Sequence, residues 1–229
     1  MRKIAIIPAR GGSKRIPRKN IKVFFGKPVI AYAIELAKQS NLFDCVMVST
    51  EDQEIKEIAQ HYGAEVPYLR NKKNATDGAS TFDVLEEVIN WYKDQGQEFD
   101  YGCCIYPVTP LLKVTSLKTG FEKLKKGNYD SVIPVAAFSH PIQRALFTDK
   151  EGIVQIKDQD SFYQNTQDLP TYYHDTGQFY WFNSNVCMIK KELLTDNSTS
   201  IILPHDQYQD VDNKEDWELM HLKYQKRLL

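Results

Sequence analysis

Short apolar runs alternate along the first 135 residues with segments in which apolar residues recur at helical spacing. The apolar runs that predict buried strands lie at 4–8, 45–48, 65–68, 101–106 and 130–135. The segments with one apolar face, which predict helices, lie at 28–39, 52–61, 81–93 and 114–126. Strands that alternate with amphipathic helices indicate an α/β fold with a mostly parallel central sheet and helices on both faces.

The pattern changes over about residues 138–182, where polar and aromatic residues mix without helical spacing. We expect this stretch to be an insertion of hairpins or loops that forms a substrate wall or a subunit contact. Afterwards, apolar runs predict strands at Asn185 to Ile189 and at Ile201 to Leu203, and helical spacing predicts a helix from Lys214 to Leu228. Length and the absence of a flexible linker favour one domain over residues 1–229.

Charge and cysteine content exclude some classes of protein. The net charge is −1, which argues against general binding to nucleic acid or to membrane surfaces. The apolar run Ile4 to Ile7 is too short for a signal peptide or a membrane span. The four cysteines fall in apolar stretches without metal-binding spacing, so we expect buried thiols and a reducing cytoplasm; they are Cys45, Cys103, Cys104 and Cys187.

The first predicted strand leads into a glycine-containing loop that is rich in positive charge. Gly11 and Gly12 allow the backbone to approach an anion closely. The cations that can neutralise phosphate charge are Arg10, Lys14, Arg15, Arg18 and Lys19. Neither the GxxxxGK[ST] nor the GxGxxG spacing is present. The loop therefore suits a triphosphate, and the alternative is a solvated basic turn.

A second candidate site is the Asp210-x-Asp212 pair. On a strand, both carboxylates would lie on one face, where they can bind a hard cation that keeps several waters. The alternative is that Asp212 or Asn213 caps the last helix. No histidine has a partner at metal-binding spacing.

Several motifs together resemble the cytidylyltransferases that make CMP-activated nonulosonic acids, the sialic acid synthetase family. The opening "IPARGGSKRIPRKN" and "FFGKPVIAYAIELA" resemble the N-terminal signature of that family. Four further motifs occur in the order of the family: "VSTED", "LRNKKNATDGAST", "IYPVTPLL" and "QDVDNKEDW". The resemblance covers the whole chain and implies a Rossmann-like nucleotidyltransferase fold.

The resemblance also implies a reaction, a cofactor and an assembly. In the family, the anomeric 2-hydroxyl of a nine-carbon sugar acid attacks the α-phosphate of CTP, pyrophosphate leaves, and Mg²⁺ offsets phosphate charge. The matching positions for CTP are Arg10, Ser13, Lys14 and Asn20, with Arg70, Ala79 and Ser80 around the cytidine. Asp210 and Asp212 match the Mg²⁺-binding pair. The insertion at about 138–182 implies a homodimer in which each subunit lends residues to the sugar site of the other.

This sequence departs from the sialic acid enzymes at positions that bind the sugar in that family. Tyr106 stands where those enzymes carry Gln, and Gln143 with Arg144 stands where they carry Lys after His-Pro. Thr166 replaces an Arg that binds carboxylate. "FSHPIQRALF" and "YYHDTGQFYWFN" resemble the branch of the family that acts on pseudaminic acid, whose sugar carries acylated amines.

The candidate sugar residues follow from those departures. A planar guanidinium fork makes Arg144 the candidate for the sugar carboxylate. His174 and Gln178 are candidates to hydrogen-bond hydroxyl or amide groups, and Tyr106 and Phe179 are candidate apolar walls. Each aromatic residue of the insertion has the alternative of packing in a core or a dimer interface.

Three other functions remain open at this stage. One is the same reaction on N-acetylneuraminate or legionaminate. Another is a catalytically silent subunit that binds a nucleotide sugar, and the third is a glycosyltransferase that uses the Asp-x-Asp pair. By family context, the activated sugar is expected to reach flagellin or a surface glycan.

Overall fold

One mixed sheet forms the centre of the computed structural model, which describes residues 1–76 and 78–229. Asp77, inside the "LRNKKNATDGAST" motif, lies outside the described residues. The strand order along the main path is β11 (Ser198–Ile202), β6 (Ser131–Ala137), β10 (Phe179–Asn183), β5 (Tyr101–Ile105), β1 (Lys3–Pro8) and β4 (Cys45–Ser49). Strand β9 (Tyr173–Asp175) also pairs with β6. Strands β9 and β10 run antiparallel to their neighbours and the other pairs are parallel, which confirms the predicted mostly parallel sheet.

Helices and small hairpins surround this sheet. The α-helices of the described residues are α1 (Val29–Ser40), α2 (Gln53–His61), α3 (Thr81–Asp94), α4 (Val114–Gly127), α5 (Gln159–Phe162), α6 (Ser184–Lys190) and α7 (Lys214–Leu228). Short 3₁₀ helices lie at Lys19–Ile21, Lys72–Ala75, Ile142–Arg144 and Thr166–Asp168. The hairpins are β2 (Val23–Phe24) with β3 (Lys27–Pro28), and β7 (Leu146–Thr148) with β8 (Val154–Ile156).

The alternation of side chains along β1 explains why helices cover both faces. Ala5 and Ile7 pack with residues of α1, α2 and α4. Ile4 and Ile6 point the other way and pack with α3 and α6. All four side chains are completely buried, and each isoleucine contributes roughly 1.5–3 kcal/mol by leaving water. The predicted helices on both faces are therefore confirmed.

Two predicted strands are wrong. Residues 185–189 belong to helix α6, and Cys187 accordingly lies in a helix. The side chain of Asn183 caps this helix by accepting a hydrogen bond from the Val186 amide at 3.2 Å. A short apolar run fits a buried strand and a buried helix turn equally, and the cap decides the outcome. Near Glu65, the predicted strand is an isolated bridge to Met47.

The predicted insertion at 138–182 contains the β7–β8 hairpin, α5 and β9. Its last residues, from Phe179 onward, belong to β10 inside the sheet. There Trp181 is fully buried, and its indole N–H donates to the Leu117 carbonyl oxygen at 3.0 Å. The aromatic end of this stretch is thus core, and the division of the chain into one domain with an insertion stays a prediction.

The four cysteines are buried free thiols, as the sequence predicts. Burial raises the pKa of both Cys45 and Cys187 to about 12, so these thiols stay protonated and unreactive. None of the helices in the described ranges is both long and apolar enough to cross a membrane. The cytoplasmic location stays a prediction.

Candidate active site

A cleft of about 680 Å³ opens where β1 and β5 end. Pro8 is the last residue of β1, Tyr106 follows β5, and both line the cleft. Ligands of parallel sheets bind at this edge because the strands and the loops after them converge there. The predicted site residues that line the cleft are Arg10, Ser13, Lys14, Arg15, Asn20, Arg70, Ala79, Ser80, Tyr106, Asp210 and Asp212.

The loop after β1 is anchored to the start of α2. Arg18 has a left-handed backbone with φ 55°, and its guanidinium binds both oxygens of Asp52, at 2.5 and 2.9 Å. The same group also contacts Glu54. Asp52 in turn caps α2 by accepting from the Ile55 amide at 3.0 Å. Hydrogen bonding to Arg18 holds the pKa of Asp52 below its usual value. Arg18 therefore fixes the loop, and its expected contact with phosphate is wrong.

Gly11 fits a position with no room for a side chain. Its amide donates to Glu51 Oε1 at 2.8 Å, and a Cβ there would lie 2.3 Å from Asp52 Oδ2. Gly11 and Gly12 are not among the described residues that line the cleft. Gly11 shapes the loop by this close approach to the residues after β4.

The end of the loop is tied to the far wall of the cleft. Asn20 is buried, and its side-chain amide donates to the Arg10 carbonyl oxygen at 2.9 Å. Lys19 lines the cleft and donates from Nζ to the Val211 carbonyl oxygen at 2.5 Å. Desolvation lowers the pKa of Lys19, while the charges of Asp212 and Asp210 oppose that shift. Lys19 thus bridges the basic loop and the acidic segment before α7.

Arg70 lies under the cleft as a buried cation. Its Nη1 donates to the Asn74 carbonyl oxygen at 3.3 Å, and its Nη2 donates to the Ser49 carbonyl oxygen. Glu51 Oε2 lies 3.9 Å from the same Nη2. Burial lowers the pKa of Arg70, and Nε has no hydrogen-bond partner among the described residues. Glu51 therefore connects the loop at Gly11 to Arg70, a link that the sequence did not indicate.

Ser80 begins helix α3 at the edge of the cleft. Its hydroxyl accepts from the Asp83 amide at 3.2 Å, and the Asp83 carboxylate accepts from the Ser80 amide at 2.8 Å. This capping box fixes the start of α3. Ala79 and Ser80 are therefore held beside Arg70 in the cleft wall.

Asp210 and Asp212 lie in the loop before α7, so the strand geometry that would place both carboxylates on one face does not apply. Asn213 caps α7 by accepting from the Asp216 amide at 2.9 Å, so capping does not involve the side chain of Asp212. Asp212 Oδ1 instead accepts from Arg15 Nη2 at 2.6 Å. Asp210 is open to the cleft, yet nearby protein atoms remove part of its hydration and raise its pKa, and the charge of Asp212 raises it further.

Hydroxyl groups on aromatic rings also line the cleft. The Tyr106 hydroxyl lies 2.6 Å from Thr81 Oγ1, and the Tyr106 ring meets Tyr180 edge-on at 5.6 Å between centroids. The Tyr180 hydroxyl donates to Asp175 Oδ2. Asp175, Tyr180 and Thr81 were all missed by sequence reasoning, together with Asn74 and Gln209.

Two predicted sugar residues lie beyond the cleft, next to the β7–β8 hairpin. Gln143 is buried, and its Nε2 donates to the Pro170 carbonyl oxygen at 2.9 Å. Arg144 is exposed, and its Nη2 donates to the Gln164 carbonyl oxygen at 2.8 Å. Neither is among the described residues that line the cleft of its own chain. Their 3₁₀ helix is held by the insertion and not by the sheet edge.

Three further predicted sugar residues do not line the cleft of their own chain. Phe179 is fully buried against α4, so its expected place in a sugar wall is wrong. Gln178 is 1% exposed, and its amide donates to the Thr176 carbonyl oxygen at 2.9 Å. His174 is half-buried, with Nδ1 2.8 Å from the Asp175 carbonyl oxygen. None of the three is among the described lining residues.

The chain between β9 and β10 forms a bulge. Asp175 and Tyr180 line the cleft beside it, whereas His174 and Gln178 do not. Asp175 pairs with Val135 and Trp181 pairs with Val132, so residues 176–180 lie opposite residues 133–134. The extra residues break the alternation of side chains between the two faces of the sheet. Gly177 has a φ of 61°, which favours glycine. The Thr-Gly pair after Asp175 was the signal available in the sequence.

Comparison with known proteins identifies relatives over nearly the full chain. The model of the family described as "Cytidylyltransferase" matches residues 4–228. A protein from Campylobacter jejuni, named pseudaminic acid cytidylyltransferase, is 38% identical over 98% of this chain and 97% of its own length. An Escherichia coli N-acylneuraminate cytidylyltransferase is 30% identical over 98% of this chain, which spans 52% of that protein.

A solved structure supports the same fold. A CMP:2-keto-3-deoxy-manno-octonic acid synthetase complexed with CTP superposes with a TM-score of 0.72 at 17% identity, covering 99% of this chain and all of the other. At that identity, the likeness concerns the fold alone. The predicted family and the predicted nucleotidyltransferase fold are confirmed.

Proposed function

This chain belongs to the cytidylyltransferase family, and we propose that it transfers CMP from CTP to the anomeric 2-hydroxyl of pseudaminic acid with release of pyrophosphate. One observation carries the proposal. A single cleft is lined by a cationic loop, by a carboxylate pair and by hydroxyl-bearing aromatic rings. This arrangement suits a charged triphosphate beside a polar sugar acid.

The nucleotide end supplies positioning and charge. We assign the triphosphate to Arg10, Ser13, Lys14 and Arg15, whose side chains line the cleft on the loop after β1. We assign the cytidine to Arg70, Ala79 and Ser80. Phosphoryl transfer depends on positioning and electrostatic stabilisation, and this set supplies both without a covalent nucleophile.

The transfer itself exchanges one bond to the α-phosphorus for another. The sugar 2-hydroxyl oxygen forms a bond to that phosphorus, the bond to the bridging oxygen of the β-phosphate breaks, and pyrophosphate leaves. The hydroxyl proton is released to solvent as the new bond forms. Lys14 and Arg15 offset the charge that develops on the phosphate oxygens.

The acidic pair fits a magnesium ion. Asp210 and Asp212 offer oxygen donors to the cleft. The described residues contain no larger metal-binding group, that is, no cluster of three or more His, Cys, Asp or Glu side chains. Mg²⁺ commonly binds one or two carboxylates and completes its shell with water and substrate phosphates. When bound, the ion would withdraw charge from the phosphate oxygens.

A parallel pyrophosphate-release assay tests the function and the sugar together. Protein, CTP and Mg²⁺ are incubated with pseudaminic, N-acetylneuraminic or legionaminic acid, and the initial rates are compared. The proposal predicts turnover with pseudaminate at the highest kcat/KM. Preference for another acid would retain the reaction and overturn the assigned sugar. No release with any of the three would favour a subunit that only binds a nucleotide sugar.

We also propose that two copies of the chain pair through the β7–β8 hairpin. Support comes from exposed apolar side chains there, which a second copy would cover; they are Leu146, Phe147, Ile153 and Val154. In such a dimer, the exposed Arg144 would be available to the partner's sugar site. Phe147→Asp should shift the sedimentation coefficient from dimer to monomer, and an unchanged dimer would contradict the pairing. The CMP-sugar product suits a glycosyltransferase that builds flagellin or surface glycans.

A further inference from the structure

Asp175 is a carboxylate in the cleft that the assigned CTP contacts do not use. It lines the cleft on the last position of β9, next to the bulge at residues 176–180, and its side chain is exposed. A carboxylate that faces a triphosphate without a bound cation would repel it. The described residues contain no cluster of three or more metal-binding side chains, so Asp175 does not extend the Asp210–Asp212 pair. Its charge therefore needs a different explanation.

The orientation of this carboxylate is fixed by two neutral donors. The Gly177 amide donates to Oδ1 at 2.9 Å, and the Tyr180 hydroxyl donates to Oδ2. Burial raises the pKa of Tyr180 above its usual value, so the phenol keeps the proton that it donates. Each carboxylate oxygen accepts one of these bonds and retains capacity for another donor. Neither of these donors carries a charge, so neither forms an ion pair with Asp175.

Asp175 lies beside the aromatic hydroxyl groups that also line the cleft. Tyr180 connects it to Tyr106, and Tyr106 contacts Thr81 across the cleft wall. A sugar acid offers several hydroxyl and acylamino N–H donors, and it carries one carboxylate. Charge repulsion keeps that carboxylate away from Asp175 and directs the neutral donor groups toward it.

We infer that Asp175 determines sugar specificity by accepting hydrogen bonds from hydroxyl or acylamino N–H groups of the bound sugar acid. This inference rests on the proposed cytidylyltransferase function. An analogue that lacks the matching donor cannot form this charge-assisted hydrogen bond and should therefore bind less well in the transition state. Asp175 therefore selects a sugar by the position of its donors, and Tyr180 keeps the acceptor aligned.

Steady-state kinetics of Asp175→Asn and Asp175→Ala test this role. Bonds to a charged acceptor are among the stronger hydrogen bonds, so both variants should lose at least about tenfold in kcat/KM for the sugar acid. The KM for CTP should change less than about twofold, since the inference places no nucleotide contact on Asp175. Asp94→Asn is the matched control, because Asp94 ends α3 and lies about 20 Å along that helix from its first residues at the cleft.

Analogues of the sugar acid separate a direct contact from a structural role. In each analogue, one hydroxyl or one acylamino group is replaced by hydrogen. One analogue should cost the wild-type protein at least about tenfold in kcat/KM, and on that analogue Asp175→Asn should cause no further loss. Tyr180→Phe leaves the carboxylate in place and should retain part of the discrimination.

The possible outcomes keep the two proposals distinguishable. Equal losses by Asp175→Asn on every analogue, or an equal rise in the KM for CTP, would overturn the assignment of Asp175 alone. A changed Mg²⁺ requirement in Asp175→Asn would also overturn it, in favour of a metal ligand. If the wild-type protein neither binds nor turns over any of the acids, the proposed function fails. The inference about Asp175 depends on that function and then fails as well.

Discussion

The residues assigned to the nucleotide and those assigned to the sugar are called here the nucleotide end and the sugar end of the cleft. The two ends are held in different ways. At the nucleotide end, the loop after β1 is fixed by Arg18 to α2, by Gly11 to Glu51 and by Lys19 to Val211. At the sugar end, the lining side chains come from the residue after β5, from the start of α3 and from strands β9 and β10. They contact one another through Tyr106, Tyr180 and Asp175.

This difference corresponds to two assigned roles, binding of the nucleotide and recognition of the sugar acid. Contacts to backbone groups and partly exposed ion pairs fix the nucleotide end, which suits a reaction that depends on positioning of the nucleotide. Side chains that contact each other at the sugar end can be replaced without disturbing the sheet. We therefore expect substitutions at one end to change CTP kinetics and substitutions at the other to change sugar kinetics.

The largest expected effect is at Lys14. Lys14→Ala should lower kcat at least about tenfold, because one cation beside the transferring phosphate is lost. Lys14 is exposed in the cleft, so the melting temperature should stay unchanged. Lys93→Ala is the matched control at the far end of α3. Wild-type kinetics in Lys14→Ala would remove this residue from the phosphate site.

Asp212→Asn tests the acidic pair. The Mg²⁺ concentration for half-maximal rate should rise about tenfold, since the variant loses one anionic oxygen donor. Asn213 caps α7, so the melting temperature should remain close to that of the wild type. Loss of melting temperature with an unchanged Mg²⁺ dependence would instead indicate a structural role through Arg15.

Glu51 tests whether the two parts of the nucleotide end act as one unit. Glu51→Ala removes the acceptor of the Gly11 amide and the partial partner of Arg70, so the KM for CTP should rise about fivefold. Glu51→Gln keeps an acceptor for the Gly11 amide, so its KM for CTP should lie between those of the wild type and of Glu51→Ala. Since Arg70 is assigned to cytidine, discrimination between CTP and UTP should also weaken. A change in stability alone would leave Glu51 with no part in nucleotide binding.

Arg18→Ala should affect the same end more weakly. The half-exposed pair with Asp52 stabilises the fold by about 1 kcal/mol or less, and its loss should raise the KM for CTP a few-fold. Because Arg18 depresses the pKa of Asp52, this stabilisation is present above the ordinary value of 3.8 and is lost as the pH falls through the lower folded value. Urea melts of both proteins should therefore differ at pH 7 and converge in more acidic buffer, and a constant difference would contradict this.

The smallest expected effect is at Tyr106. Tyr106→Phe removes the hydroxyl that contacts Thr81, so the KM for the sugar acid should rise about threefold. The KM for CTP should not change. An equal effect on both substrates would show that the two ends of the cleft are not independent.

More of the predicted nucleotide residues than of the predicted sugar residues line the cleft, for a physical reason. Arg10 to Asn20 form one continuous loop after a buried strand, so the residues that act together are neighbours in sequence. The sugar end depends on a bulge that reverses which side chains face the cleft. The family resemblance selected His174 and Gln178, whereas Asp175 and Tyr180 line the cleft in the structure.

Long-range contacts set a second limit on prediction. Nothing local distinguishes Glu51 as a link between Gly11 and Arg70, because the contact depends on how β1 and β4 pair. The strand predicted at 185–189 failed for a local reason, since the Asn183 cap selects a helix for an ambiguous apolar run. The α/β class and the helices on both faces followed from periodicity, whereas the geometry of the site depends on turns and caps.

The most direct test is a crystal structure of the chain with CTP and Mg²⁺. The account predicts the triphosphate against the side chains of Arg10 and Lys14, with the cytosine on the side of Arg70. The space beside Tyr106 and Tyr180 should remain open to a sugar acid. A cytosine ring packed against Tyr106 and Tyr180 would contradict the assignment of the two ends.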